Sequence, residues 1–173
     1  AAYDDAKAEQ EEFRRAVAQN PMGILVSASD ANVMGPEIDA AMSKGIPVLT
    51  VDSDATNSKR LFFVGTDNYK AGTEGGKLVS KLLNGKGNVV VFTMPEQENL
   101  KERLHGYKDI FDTHPQMKIT QVVDMKGQAE AAFDAAKQVF DSKTKVDAFV
   151  CLESISCPEV AAVIDRTKMT GKV

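Results

Sequence analysis

The sequence predicts an α/β fold with parallel sheets flanked by helices. Short runs that are apolar on both faces, GILVSAS (23–29), IPVLTVD (46–52), NVVVFTM (88–94) and VDAFVCL (146–152), suit strands buried inside a parallel sheet. Longer stretches with a helical apolar period lie between them. The two kinds of segment alternate along all 173 residues, the pattern of strand–helix–strand units with right-handed crossovers.

Taken in order, residues 3–19 read as a helix with Ala6, Phe13, Ala16 and Val17 on one face, stopped by Asn20 and Pro21. The run 23–29 is the first strand. Asp30 or Asn32 can cap a helix over about 33–44, which Gly45 ends. The runs 46–52 and 60–66 (RLFFVGT) are the second and third strands. A helix over about 69–84 closes on the turn Asn84–Gly85–Lys86–Gly87. The scheme then repeats: strand 88–94, helix 98–114, strand 117–125, helix 129–142 and strand 146–152. Pro158 fits the first turn of a last helix over about 158–168.

Composition narrows the function classes. At 43% hydrophobic and 27% charged, the chain is a globular sequence rather than a disordered, collagenous or disulfide-scaffold one. It contains no run of 18 apolar residues, and no basic segment followed by an apolar core opens it. The net charge is −4, carried by residues 1–66, and the first helix is acidic (Asp4, Asp5, Glu9, Glu11, Glu12), which argues against a nucleic-acid partner. Cys151 and Cys157 stand six apart across a strand–helix junction, a doubtful disulfide, and read as small buried or half-buried residues; there is no CxxC motif.

In open α/β sheets ligands bind beyond the carboxyl ends of the strands. The residues there are Ser29 and Asp30; Asp52, Ser53 and Asp54; Asp67 and Asn68; Pro95, Glu96, Gln97 and Asn99; Lys126 and Gly127; Glu153, Ser154 and Ser156. These sets are rich in carboxylates and amides, which bond neighbouring hydroxyls in pairs, as a sugar or polyol requires. Asp30, Asn99 and Ser156 have helix capping as their competing role.

Catalytic and nucleotide motifs are lacking. No GxGxxG follows a strand, no GxSxG elbow appears, and Gly75–Gly76–Lys77 lies inside a helix with Ala71 and Leu78 at the positions a phosphate loop reserves for glycine and Ser/Thr. His105 and His114 lie nine residues apart on one helix, too far for one metal, and read as surface residues. The sequence therefore calls for no enzyme, no cofactor and no metal.

The segments TVDSDAT (50–56), VGTDNYKAGTEGG (64–76) and ERLHGYKDIF (102–111), in this order and spacing, resemble the sugar-binding proteins of ABC importers, of the ribose-binding, type I periplasmic class. The same fold serves as the effector domain of lactose-repressor-type regulators. The resemblance implies a two-lobed molecule, with residues 1–66 part of the N-terminal lobe, residues 67–173 part of the C-terminal lobe, and a hinge crossing near 66–68. It implies a sugar or polyol held between the lobes, delivery to a membrane permease, and a periplasmic or lipid-anchored extracytoplasmic location. Asp52 matches the aspartate that accepts from sugar hydroxyls, Ser53 stands where the family often has arginine, and Arg103 matches the arginine that reaches the sugar from the second lobe. The alternative for Arg103 is a surface pair with Asn99 or Tyr107. At the strand end 152–153, where the family usually has asparagine or aspartate, Leu152 and Glu153 stand, and Glu153 can take the role with a longer reach. The expected ligand-binding set is thus Asp52, Ser53, Asn99, Arg103 and Glu153.

The chain opens on a helix and stops at Thr170–Gly171–Lys172–Val173, where a strand should begin, so the fold is expected to be incomplete at both ends. The segment alone is then expected to bind sugar weakly or not at all. Two other readings compete: the ligand-sensing domain of a lactose-repressor-type regulator, which needs a helix-turn-helix, and a small α/β enzyme, which needs a cofactor loop or catalytic trio.

Overall fold

The computed structural model describes residues 5–173. Among the described residues six helices and six strands alternate, except that β2 and β3 follow one another directly. α1 (Ala6–Ala18) starts at Asp5, whose Oδ1 accepts hydrogen bonds from the amides of Lys7 and Ala8. The first two residues of the expected helix, 3 and 4, lie outside the described residues. β1 (Ile24–Val26) leads to α2 (Ala31–Ser43), capped by Asp30 through the amides of Asn32 and Val33, so the helix begins two residues before its expected start. Gly45 follows at a φ of +80°, the left-handed conformation a helix end uses. β2 (Val48–Val51) and β3 (Phe63–Val64) complete a parallel sheet in the order β1-β2-β3.

α3 (Asn68–Leu82) leads through Asn84 and Gly85, both at positive φ, into β4 (Lys86–Thr93). Lys86 and Gly87 therefore belong to a strand and not to the expected turn, because their backbones pair with Gln116 and Met117. α4 (Glu98–Asp112), β5 (Gln116–Asp124), α5 (Ala129–Asp141), β6 (Ala148–Cys151) and α6 (Ser156–Arg166) follow. The second parallel sheet has the order β5-β4-β6.

Each sheet anchors its own core. In the second, Val89, Val91, Val150 and Leu152 pack with Leu100, Leu104 and Phe111 of α4. On the opposite face Val90, Phe92 and Val123 pack with Ala132, Ala136 and Val139 of α5 and Val160 and Val163 of α6. In the first sheet, Val48 is buried with Phe13 of α1 and Met34, Ile38 and Ala41 of α2. The register pairs Leu25 with Leu49 and Val51 with Val64, which puts these four on the other face. There Leu25 is 73% and Val64 58% exposed. The run 60–66, expected to be a buried strand, keeps only two paired residues, and Leu61, Phe62 and Val64 are exposed, because it lies at the sheet edge with one face open.

The chain divides into two compact units. One runs to Asp67 and includes Glu96–Asn99; the other comprises Asn68–Pro95 and Leu100–Val173. Both cysteines are free, and Cys157 is exposed where a buried or half-buried residue was expected. Burial pushes the half-buried Cys151 thiol up to about 12, so it stays protonated.

Candidate functional site

In the first unit the expected ligand residues cluster where β2 ends. Asp52 has a φ of +65°, and the amide of Ser53 donates to the carbonyl of Val51 at 2.8 Å. Together these make a γ-turn with Asp52 at its apex, a rare and strained turn. Its backbone is held on each side: the Asp52 amide donates to Val64 O at 3.1 Å, and Ser53 O accepts from the Ala28 amide at 3.1 Å. The Asp52 side chain is exposed and its carboxylate meets no donor among the described residues. A strained residue persists only where its surroundings over-determine it, and such residues gather at binding sites.

Ser53 and Asp54 point the other way. Ser53 is 4% exposed, and its buried Oγ has no hydrogen-bond partner among the described residues. Asp54 is held by Arg60 through both carboxylate oxygens, by Thr50 Oγ1 at 2.5 Å and by the Ala55 amide at 2.8 Å. Burial pushes the Asp54 carboxyl up, but the Arg60, Thr50 and Ala55 hydrogen bonds outweigh it and hold the group below the usual carboxylate range. Asp54 is thus an internal anchor of the β2 end, and Asp52 is the carboxylate presented outward.

In the second unit the chemistry gathers on Arg103, one turn into α4. Its Nε and Nη2 donate to Asn68 Oδ1 at 3.2 and 2.6 Å, and its Nη1 donates to the Leu152 carbonyl at 2.5 Å. The guanidinium therefore lies at the carboxyl end of β6, and pairs with neither Asn99 nor Tyr107 in the surface manner that was the alternative. The Arg103 charge is near enough to oppose the rise that burial imposes on the Tyr107 phenol.

Glycine brings these groups into reach. A Cβ on Gly72 would lie 2.0 Å from Arg103 O, and one on Gly106 would lie 2.3 Å from Tyr69 O. α3 and α4 therefore cross backbone against backbone, as only glycine allows. The glycines of VGTDNYKAGTEGG serve packing and do not cradle phosphate.

Glu153 is half-buried and its carboxylate faces its own chain. It accepts from the amides of Ile155 at 2.5 Å and Ser156 at 3.2 Å, and from Ser156 Oγ. It thereby satisfies amides at the start of α6, the capping role assigned to Ser156 from sequence. Asn99 lies in the first turn of α4, half-buried, and groups with the first unit. The structure thus places Asp52 with Ser53, and Arg103 at the Leu152 carbonyl, with Glu153 turned to its own chain. Asn68 was among the strand-end residues but not in the expected ligand set; its signal is that it follows Asp67 directly at the start of a glycine-bearing helix.

His105 is exposed, 3.4 Å from Asp109 and stacked edge-on against Tyr69. Among the described residues no group of three or more His, Cys, Asp or Glu could hold a metal ion.

Over residues 1–173 the sequence matches the family model of the periplasmic binding protein domain. It is 26% identical over 125 residues to the ribose import binding protein RbsB of Bacillus subtilis, covering 71% of this chain and 41% of that protein. It is 26% identical over 119 residues to the xylitol-binding protein of Mycolicibacterium smegmatis, covering 68% of this chain and 34% of that one. The crystal structure of a sugar ABC transporter sugar-binding protein from Bacillus halodurans superposes with a TM-score of 0.87 at 29% identity, covering 100% of this chain and 60% of that one. The chain spans about a third to a half of the length of these two curated relatives.

Proposed function

The chain belongs to the periplasmic binding protein domain family, and from that premise we propose that the protein is an extracytoplasmic solute-binding protein of an ABC importer that takes a neutral sugar or polyol. The observation that carries this reading is the outward carboxylate of Asp52, unpaired among the described residues at the apex of a strained γ-turn. A carboxylate only accepts hydrogen bonds and an arginine only donates them, so Asp52 and Arg103 together suit the donor and acceptor faces of hydroxyl groups. One negative and one positive group favour a ligand without net charge. The names of the relatives, which bind ribose and xylitol, support the same class.

In this reading residues 1–66 and 67–173 belong to two lobes joined near 66–68. Each contributes hydrogen-bonding groups, and hinge closure over the ligand presents it to a membrane permease. No bond is made or broken. Ser53, Asn99 and Glu153 complete the proposed ligand set in subordinate roles, Glu153 through the stretch of chain it braces.

The test is a thermal-shift screen of the full-length protein against D-ribose, D-xylose, L-arabinose, D-glucose and xylitol. At least one should raise the unfolding midpoint, by mass action on the folded state. Asp52→Ala and Arg103→Ala should each abolish that rise. A response that survives both substitutions would remove these residues from the site, and no response to any compound would remove the ligand class.

A further inference from the structure

Arginine is a costly residue to use in a binding site unless something holds it, because its side chain is long and rotatable. The guanidinium of Arg103 has five N–H groups. Two go to Asn68 Oδ1, from Nε at 3.2 Å and Nη2 at 2.6 Å, and one from Nη1 goes to the Leu152 carbonyl at 2.5 Å. Two remain, one on each Nη nitrogen. The acceptors that hold the group are both neutral, so its full positive charge is left for whatever the remaining N–H groups meet. Asn68 is only 3% exposed and is the first residue of α3, and the contact of Gly72 and Gly106 with the facing backbone fixes α3 against α4. Asn68 is therefore itself held by the fold, and cannot follow Arg103 if the arginine swings.

We propose that Asn68 is a positioning residue of the ligand site: with the Leu152 carbonyl it fixes the Arg103 guanidinium before ligand arrives, leaving one N–H on each Nη nitrogen to bond ligand oxygens. This rests on the reading of Arg103 as a ligand residue. Pre-organisation of this kind raises affinity by removing the ordering cost from the binding step. Asn68 contributes through Arg103 and need not touch the ligand. The choice of amide over carboxylate matters, since an ion pair in that place would spend the charge internally.

The experiment uses the full-length protein labelled with ¹⁵N and three variants, Asn68→Leu, Asn68→Ser and Asn68→Asp. In the ligand-free protein the Arg103 Nε–Hε resonance, assigned by its loss in Arg103→Lys, should be sharp and slow to exchange with water. It should vanish into fast exchange in Asn68→Leu and Asn68→Ser and persist in Asn68→Asp, which keeps an oxygen at the same place. Calorimetric titration with D-ribose and xylitol should show affinity about tenfold lower in the first two variants, the size expected when charge-assisted hydrogen bonds are released. Asn68→Asp should recover the order of Arg103 and part of the affinity. A fast-exchanging Arg103 signal in the wild-type protein would overturn the proposal without any variant having to fold. An unchanged affinity in a folded Asn68→Leu or Asn68→Ser would overturn it as well. If none of the five screened compounds binds the wild-type protein while the resonance behaves as described, the sugar reading falls and the holding of Arg103 stands, so the two failures are told apart.

Discussion

In the sheet of β4, β5 and β6, consecutive residues of the central strand point to opposite faces and each meets a helix. Val89 and Val91 face α4, Val90 and Phe92 face α5 and α6, and none is more than 1% exposed. In the sheet of β1, β2 and β3, Val48 is fully buried against α1 and α2, while Leu25 on the opposite face is 73% exposed. The central strand of each sheet carries apolar residues on both faces, Val48 and Leu49 in β2 and Val89 to Phe92 in β4, and all the strands are parallel, an arrangement that ordinarily has helices on each side. An apolar run therefore encodes that a face is to be covered, but not which residues cover it. The first unit also relies on a polar device. Thr50, Asp54 and Arg60 form a hydrogen-bonded cluster beneath the β2 end.

The largest expected effect sets the two sheets side by side. Phe92→Ala removes a fully buried ring and should cost about 3–5 kcal/mol in urea unfolding of the 173-residue chain. Phe62→Ala, at a ring 52% exposed beside the open sheet, should cost under about 1 kcal/mol. Equal costs would mean that the open face is covered in solution and would break the comparison.

A glycine in each unit is expected to respond differently to alanine. Gly72→Ala drives a Cβ to 2.0 Å from a backbone oxygen, which cannot yield as a side-chain tip would, so α3 and α4 must part at a cost of about 2 kcal/mol or more. Gly45→Ala in the first unit meets nothing within 4 Å but sits at a φ of +80°, and should cost about 1 kcal/mol. The first variant should also weaken any sugar response, because the crossing carries Asn68 to Arg103. The second should leave it intact.

Acid should act on the first unit through Asp54. Its carboxyl is held below the ordinary range, so its contribution is present above the unfolded-state pKa and lost as pH falls through the lower folded-state value. Urea midpoints compared between pH 7 and pH 3 should fall further for the wild-type chain than for Asp54→Asn. A parallel fall in both would remove Asp54 from the acid response.

The alternation of elements was legible in the sequence because apolar runs and helical periods are local signals. Strand ends were less so: RLFFVGT has the composition of a buried strand, yet pairing and burial depend on neighbours that the run itself does not encode. Within the candidate site, Asp52 stood out as the residue closing an apolar run, but the strain at its φ arises from hydrogen bonds to Val64 and across Ser53, which no local pattern shows. Glu153 is expected at the ligand from its place after β6; that its carboxylate accepts from the amides of Ile155 and Ser156 depends on the turn of the chain into α6, which the apolar run does not encode. Asn68 stands outside the expected ligand set because its contact with Arg103 spans 35 residues of sequence, which no local pattern shows.

The smallest expected change in stability falls at Asp52, where a large change in binding should accompany it. A non-glycine residue at a φ of +65° carries strain of about 1 kcal/mol, which Asp52→Gly removes. The same substitution frees the unfolded chain by about 0.4–1 kcal/mol, and the two nearly cancel. Asp52→Ala keeps the strain, and loses the short polar side chain that lets aspartate tolerate this region, so it should be the less stable of the two. Both variants lack the carboxylate and should lose the sugar response to the same degree. Urea unfolding and thermal shift measured on the pair then separate the two roles. If Asp52→Gly proves as unstable as Asp52→Ala, the carboxylate serves the fold of the β2 end, and its outward presentation no longer speaks for a ligand.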